Sequence, residues 1–313
     1  MRTIPTRQAF GEALLELGRK NEDIVVVDAD ISKSTHSVHF HEEFPERAYN
    51  MGIAEQNMMG TAAGMATTGM TVFATTYAVF ASMRALEQVR TFISYPKLNV
   101  KIAASHGGLQ VSSDGTSHQA IEDIAIMRSL PNMTVIQPAD PATTKKAVFA
   151  IAEYDGPVYL RLMRNAVPDI YDDNMEFEIG KGIVVAESIE AECTIVATGL
   201  MVGKSLEAAQ ELSKEGIQVN VIDIHTIKPI DRDLILKYAK KSGAIVTAED
   251  HNIIGGLGGA VAEVLATNNP IPMEMIGLRD VFGESGDPEE LFTQYKMNTE
   301  HIIEAVKRVI PRS

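Results

Sequence analysis

Two imidazoles and a carboxylate fall within one short stretch: His106, Asp114 and His118, in Ser105-His-Gly-Gly-Leu-Gln-Val-Ser-Ser-Asp114-Gly-Thr-Ser-His118. Imidazoles change charge near neutral pH, so this group can hold sugar hydroxyls and move protons. An aromatic pair, Tyr77 and Phe80, lies upstream in Phe73-Ala-Thr-Thr-Tyr-Ala-Val-Phe80. Glu55 opens a small-residue helix, Met58-Met-Gly-Thr-Ala-Ala-Gly-Met-Ala66. Gly60 and Gly64 are poor helix formers, but their spacing lets another helix or a ligand approach closely. His36, His39 and His41 have the composition of a metal tract, yet their spacing suits a mobile polar loop better.

The elements that must position these residues alternate strand and helix. Ile24–Asp28 is short, apolar and β-branched, as a buried parallel strand should be. A helix over 7–20 precedes it, with Thr6 as a candidate cap. Strands are expected at 71–75, 100–105, 134–137 and 157–162, with helices at 79–94, 119–128 and 141–153 between them. Residues 166–180, rich in Asp, Asn and Pro, read as a linker. Alternation then resumes, with strands at 194–198, 219–224 and 244–248 and helices at 202–215, 231–241, 257–267 and 299–309. Asp287-Pro-Glu-Glu290 carries a cap, an early proline and two acids, the signature of a helix start.

The expected fold is two α/β domains with parallel sheets, over 1–165 and 181–313. Ligands of such sheets bind beyond the C-terminal strand ends. Four loops there carry unusual chemistry and could converge: 28–41, 74–80, 105–118 and the segment around Arg164.

Composition bounds the function. The 313 residues are 45% hydrophobic and 22% charged, which excludes a disordered or collagen-like chain. A net charge of −14 repels nucleic-acid backbones, although a few local cations can still bind small anions. Cys193 is the only cysteine, so no disulfide forms within the chain. No stretch is long and apolar enough to span a membrane, and no signal peptide is evident, so the cytoplasm is the expected compartment.

Gly52-Ile-Ala-Glu55-Gln56, with Asp114-Gly-Thr-Ser-His118-Gln119 downstream, resembles the pyrimidine-binding domain of transketolase-like thiamine-diphosphate enzymes. The resemblance covers the whole chain, with 181–313 similar to the transketolase C-terminal domain. It implies that Glu55 hydrogen-bonds a ring nitrogen of the cofactor's aminopyrimidine. That bond favours the tautomer that takes the thiazolium proton, and burial would help keep the carboxyl protonated for part of the cycle. The resemblance places Phe80 or Tyr77 on the pyrimidine ring. His106 is implied to contact a substrate phosphate or hydroxyls, Asp114 to bind a hydroxyl, and His118 to polarise the reacting hydroxyl or carbonyl. Transketolases usually carry Glu before that Asp, where this chain has Ser113. Arg7 and Arg164 match phosphate-contacting arginines, whose planar forks bind two oxygens at once. Ser34 matches a phosphate-binding serine, and Asp30 an aspartate near the thiamine. Gly255-Gly-Leu-Gly-Gly259 mimics a dinucleotide loop but lacks its spacing, and the family uses this turn structurally.

The family also needs a diphosphate-binding domain with a Gly-Asp-Gly signature, which is absent from this sequence. The resemblance therefore implies a partner subunit that holds the diphosphate and Mg²⁺ or Ca²⁺. Together the two chains would form an α2β2 heterotetramer acting on sugar phosphates, within the pentose phosphate pathway. Alone, this chain is expected to bind thiamine diphosphate poorly and to catalyse nothing. The first reading is the C-terminal subunit of a split transketolase. The second is a 2-oxoacid dehydrogenase beta subunit, which shares Glu55 and His118-Gln119. A deoxyxylulose-phosphate synthase fragment falls behind, because that family normally has no His at position 106. A scaffold relative without catalysis is disfavoured by the intact Glu55, Asp114 and His118.

Overall fold

Fourteen strands are seen in a computed structural model that describes residues 3–312. They are β1 (Ile4–Pro5), β2 (Ile24–Asp28), β3 (Ala48–Asn50), β4 (Thr71–Tyr77), β5 (Val100–Ser105), β6 (Thr134–Ile136), β7 (Val158–Arg161), β8 (Ala166–Val167), β9 (Ile183–Ala186), β10 (Cys193–Ala197), β11 (Val219–Asp223), β12 (Thr226–Lys228), β13 (Ile245–Asn252) and β14 (Met273–Leu278). Every residue of β2 and β5 is buried, as helices on both faces of a parallel sheet require. The first sheet has the order β12-β6-β7-β5-β4-β2-β3 and the second β14-β13-β10-β11-β9. Pairing is parallel except at one edge of each sheet, where β12 and β9 run antiparallel to β6 and β11. This is the expected pair of parallel α/β domains.

The two halves share more than a linker. β12 comes from the second half of the chain yet completes the first sheet. β8, at the start of the expected linker, returns to pair with β1. One apolar cluster runs from Met58 and Ile102 through to Ile222, Tyr238 and Val261.

Three local expectations change. Thr6 does not cap the first helix: it lies inside it, at the start of Thr6–Lys20, and its hydroxyl accepts the Met163 N–H at 2.7 Å. The helix expected over 79–94 is interrupted by π-type turns at Phe80–Arg84 and Val89–Ser94. Ala85 N–H accordingly reaches back five residues to the Phe80 carbonyl, and Tyr95 N–H to Arg90. Such bulges often mark functional helices. The histidine tract is no mobile loop but two short helices, Ser32–Thr35 and Val38–Glu43, anchored by the buried Phe40.

The glycine turn at 255–259 is filled from within. The Glu249 carboxylate accepts the Leu257 and Gly258 N–H groups at 2.7 Å each, at the start of helix Leu257–Asn268. A helix N-terminus attracts an anion, and here the protein supplies its own where a nucleotide phosphate would sit.

Arg161 ties the halves together. Its guanidinium is fully buried at the end of β7. Its Nε donates to Asp123 at 2.8 Å, and Nη2 donates to the carbonyls of Ala120 at 2.8 Å and Asp250 at 3.0 Å. Tyr159 also donates to Asp123, at 2.7 Å. Removing one member of a buried pair strands the other charge, which costs about 3–5 kcal/mol. Arg161→Met is therefore expected to lower the unfolding free energy by about that much in denaturant titrations. A loss below about 1 kcal/mol would show that the junction is not held by this pair.

Candidate active site

Parallel register brings the first two rings together. Tyr77, last in β4, pairs with Ser105, last in β5. The next residue, His106, turns into the left-handed region at φ +64°. Its imidazole lies 4.0 Å from the Tyr77 ring, centre to centre, and its Nδ1 is 2.9 Å from Ser105 Oγ. The His118 ring stands edge-on to both aromatics, 6.0 Å from Tyr77 and 5.4 Å from Phe80. Ser117 Oγ holds its Nδ1 at 2.9 Å.

Glu55 extends this cluster through one bridge. It is buried at the start of helix Glu55–Ala66. Arg84 donates to its Oε2 at 2.9 Å, and the same guanidinium lies 4.5 Å above the Phe80 ring centre. Arg84 was not singled out from the sequence. Its position one turn after Phe80 on a helix was the available signal.

The cationic rim is built by Arg7 and Arg164. Arg7 Nε donates to the Arg164 carbonyl at 3.0 Å, and Arg7 Nη1 to the Ser34 carbonyl at 2.6 Å. Arg164 Nη1 donates to the Val111 carbonyl at 3.2 Å. Neither guanidinium forms an ion pair with a carboxylate among the described residues. Burial, then the neighbouring Arg164 charge, lowers the Arg7 pKa, opposed by Tyr77 and Asp114. Asp114 thus sits within electrostatic reach of Arg7, exposed at the end of the turn Leu109–Asp114.

Asp30 stands apart from the ring cluster. It is exposed at φ +65° and accepts a hydrogen bond from Asn50 at 2.7 Å. Asp28, not chosen from the sequence, is the buried acid of that loop: Thr75 Oγ1 donates to it at 3.0 Å and the Ile31 N–H at 2.9 Å. Its pKa is raised by burial, against those hydrogen bonds.

The His106 pKa is lowered to about 3, first by burial and then by Arg7, Arg164 and His118. This corrects the expectation that both imidazoles titrate near neutral pH. His106 is a neutral hydrogen-bonding group, wedged by Tyr77 among positive neighbours.

A buried carboxylate and an aromatic ring are the groups that one edge and one face of an aminopyrimidine need, and this half of thiamine diphosphate fits them once Arg84, which bridges both, moves aside. The described residues contain no group of three acidic, histidine or cysteine side chains able to hold a metal ion.

Two parallel α/β domains, with this carboxylate and ring pair at the strand ends, define a pyrimidine-binding protein with a companion C-terminal domain. The transketolase pyrimidine-binding domain family matches residues 2–169, and the transketolase C-terminal domain family matches residues 180–302. The chain belongs to the transketolase family, as the second subunit of a split enzyme rather than a 2-oxoacid dehydrogenase beta subunit. It is 50% identical to a putative transketolase C-terminal section from Methanocaldococcus jannaschii, covering 96% of this chain and 94% of that one. It is 40% identical to a 6-deoxy-6-sulfo-D-fructose transketolase subunit from a Clostridium species, covering 98% and 94%. Its fold matches a split-gene transketolase solved as an inactive β4 tetramer, at a TM-score of 0.92, 52% identity and 99% coverage of both chains.

The His106 shift sets a pH signature. The folded pKa of about 3 lies below the ordinary 6.5, so the unfolded chain takes up the proton first. This site's contribution to stability is full above about 6.5 and falls as pH drops towards 3. In nitrogen-resolved NMR of labelled histidines, the His106 ring should stay neutral from about pH 8 to 5. A midpoint near 6.5 would contradict the assigned environment.

Proposed function

We propose that this subunit is the pyrimidine-binding half of an enzyme that moves a two-carbon ketol unit from one anionic sugar to another. It acts only with a partner subunit that holds the cofactor diphosphate and its Mg²⁺ or Ca²⁺. The observation that carries this reading is the Arg7–Arg164 pair. Arg7 donates to the Arg164 backbone carbonyl, and both side chains lie within electrostatic reach of each other and of His106, in a chain of net charge −14. That arrangement favours a dianionic group at the far end of a substrate.

Bound against Glu55 and Phe80, thiamine diphosphate supplies the electron sink that lets a carbon–carbon bond beside a carbonyl break. The chain's own residues do the rest. Glu55 holds a proton on the pyrimidine ring nitrogen, and Phe80, with Tyr77 behind it, supplies the stacking surface. His118 exchanges protons with the reacting hydroxyl or carbonyl. His106, neutral, orients substrate hydroxyls, and Asp114 accepts from one of them. Arg7 and Arg164, with Ser34 beside them, hold the anionic end. A sulfonate presents oxygens much as a phosphate does, so the Clostridium relative's substrate class is also compatible with this rim.

Self-association has a surface to use. Gly60 and Gly64 face open space on helix Glu55–Ala66. Ile53, Met83, Phe92 and Tyr95 are exposed on the same and neighbouring segments. An α2β2 assembly that buries this face would place each site between chains.

The subunit expressed with its partner, thiamine diphosphate and Mg²⁺ should convert xylulose 5-phosphate and ribose 5-phosphate to sedoheptulose 7-phosphate. The lone chain should not. Pyruvate decarboxylation in place of ketol transfer would overturn the reading. In the complex, Arg164→Gln should raise KM for the sugar phosphate about 10–100-fold and leave kcat nearly unchanged. An unchanged KM would remove Arg164 from the anion site.

A further inference from the structure

We infer that Asp250 is a positioning residue for the loop bearing His106, Asp114 and His118, so the C-terminal domain shapes the site without touching substrate. This rests on the transketolase reading above. Asp250 lies within β13, on the second sheet, and is buried. Both of its carboxylate oxygens accept the Leu109 N–H, at 2.9 and 3.1 Å. Its own carbonyl is held by Arg161 at 3.0 Å. The side chain therefore reaches across the domain junction while its backbone is fixed there.

The loop is shaped to receive it. Gly108 adopts φ +81°, and a Cβ on it would lie 2.0 Å from Asp250 Oδ2. A Cβ on Gly107 would lie 2.6 Å from Arg161 Nε. The Gly108 N–H donates to the Ala120 carbonyl at 2.8 Å, and that carbonyl also accepts from Arg161. Both ends of the 107–120 segment are thus fastened at one junction. A second segment of the C-terminal domain grips its middle. Thr116 Oγ1 donates to the Gly283 carbonyl at 2.5 Å, Gln119 to Glu284 at 2.9 Å and Ser112 to Gly286 at 3.0 Å.

The loop needs holding. His106 and Ser112 are non-glycine residues at φ +64°, a conformation that persists only when the surroundings impose it. Glu55 and Phe80 sit on other elements, so contacts to the cofactor ring do not depend on Asp250.

The test is Asp250→Asn in the complex with the partner subunit. Asn keeps the volume but turns one donor towards the Leu109 N–H. Hydrogen exchange of amides 107–119 should rise roughly tenfold or more, with 55–66 and 201–214 unchanged. The thiamine diphosphate Kd should hold, while kcat for ketol transfer falls about 100-fold, the typical cost of a small misplacement. Unchanged exchange, raised exchange with unchanged kcat, or raised exchange across the whole chain would each overturn the inference. If the wild-type complex performs no ketol transfer, the functional reading fails instead. The exchange arm still decides whether Asp250 holds the loop.

Discussion

A guanidinium with no water around it must find its partners inside the protein, and Arg161 finds a carboxylate and two carbonyls at the meeting point of both domains. Asp123 neutralises it and the Ala120 and Asp250 carbonyls accept from Nη2, while Nη1 has no partner among the described residues. Because those partners come from both halves, the two sheets cannot shift independently without exposing a buried charge. Strand β12 and the shared apolar cluster reinforce the same junction. The strand ends that carry the site are therefore presented on one rigid frame.

That frame gathers one set of groups on this chain. The chain provides a buried carboxylate, a ring surface, a neutral imidazole and two guanidiniums. It provides no cluster of hard oxygen ligands among the described residues. The proposed arrangement puts cation binding on a partner subunit and ring binding on this one.

Much of this was legible in the sequence where local physics decides the outcome. Strand 100–105 and helix Pro141–Glu153 appear as read, the latter fixed by the Asp140–Thr143 capping box. The Asp287 cap and the closing helix Thr299–Val309 do too. What escaped depends on distant partners. β12 is three residues long and becomes a strand only against β6. The helix expected from Gln119 starts at Asp123, because Ala120 belongs to the Arg161 junction. Asp250 reaches Leu109 across 141 positions, a contact that no local pattern encodes. Arg84 was readable from helical spacing, but π-type turns put it in a place that α-geometry alone would not. The histidines were legible as residue types; the neutrality of His106 was not, since it comes first from burial and then from arginines brought in by folding.

Direct titration of thiamine diphosphate with Mg²⁺ tests the division of labour most closely. Calorimetry would compare this chain alone, its partner alone, the assembled complex, and the complex carrying Glu55→Gln. The account predicts weak or no binding to either single chain and tight binding to the complex. Glu55→Gln should leave the assembly intact but abolish ketol transfer. Tight, metal-dependent binding to this chain alone, or full activity in the Glu55→Gln complex, would contradict it.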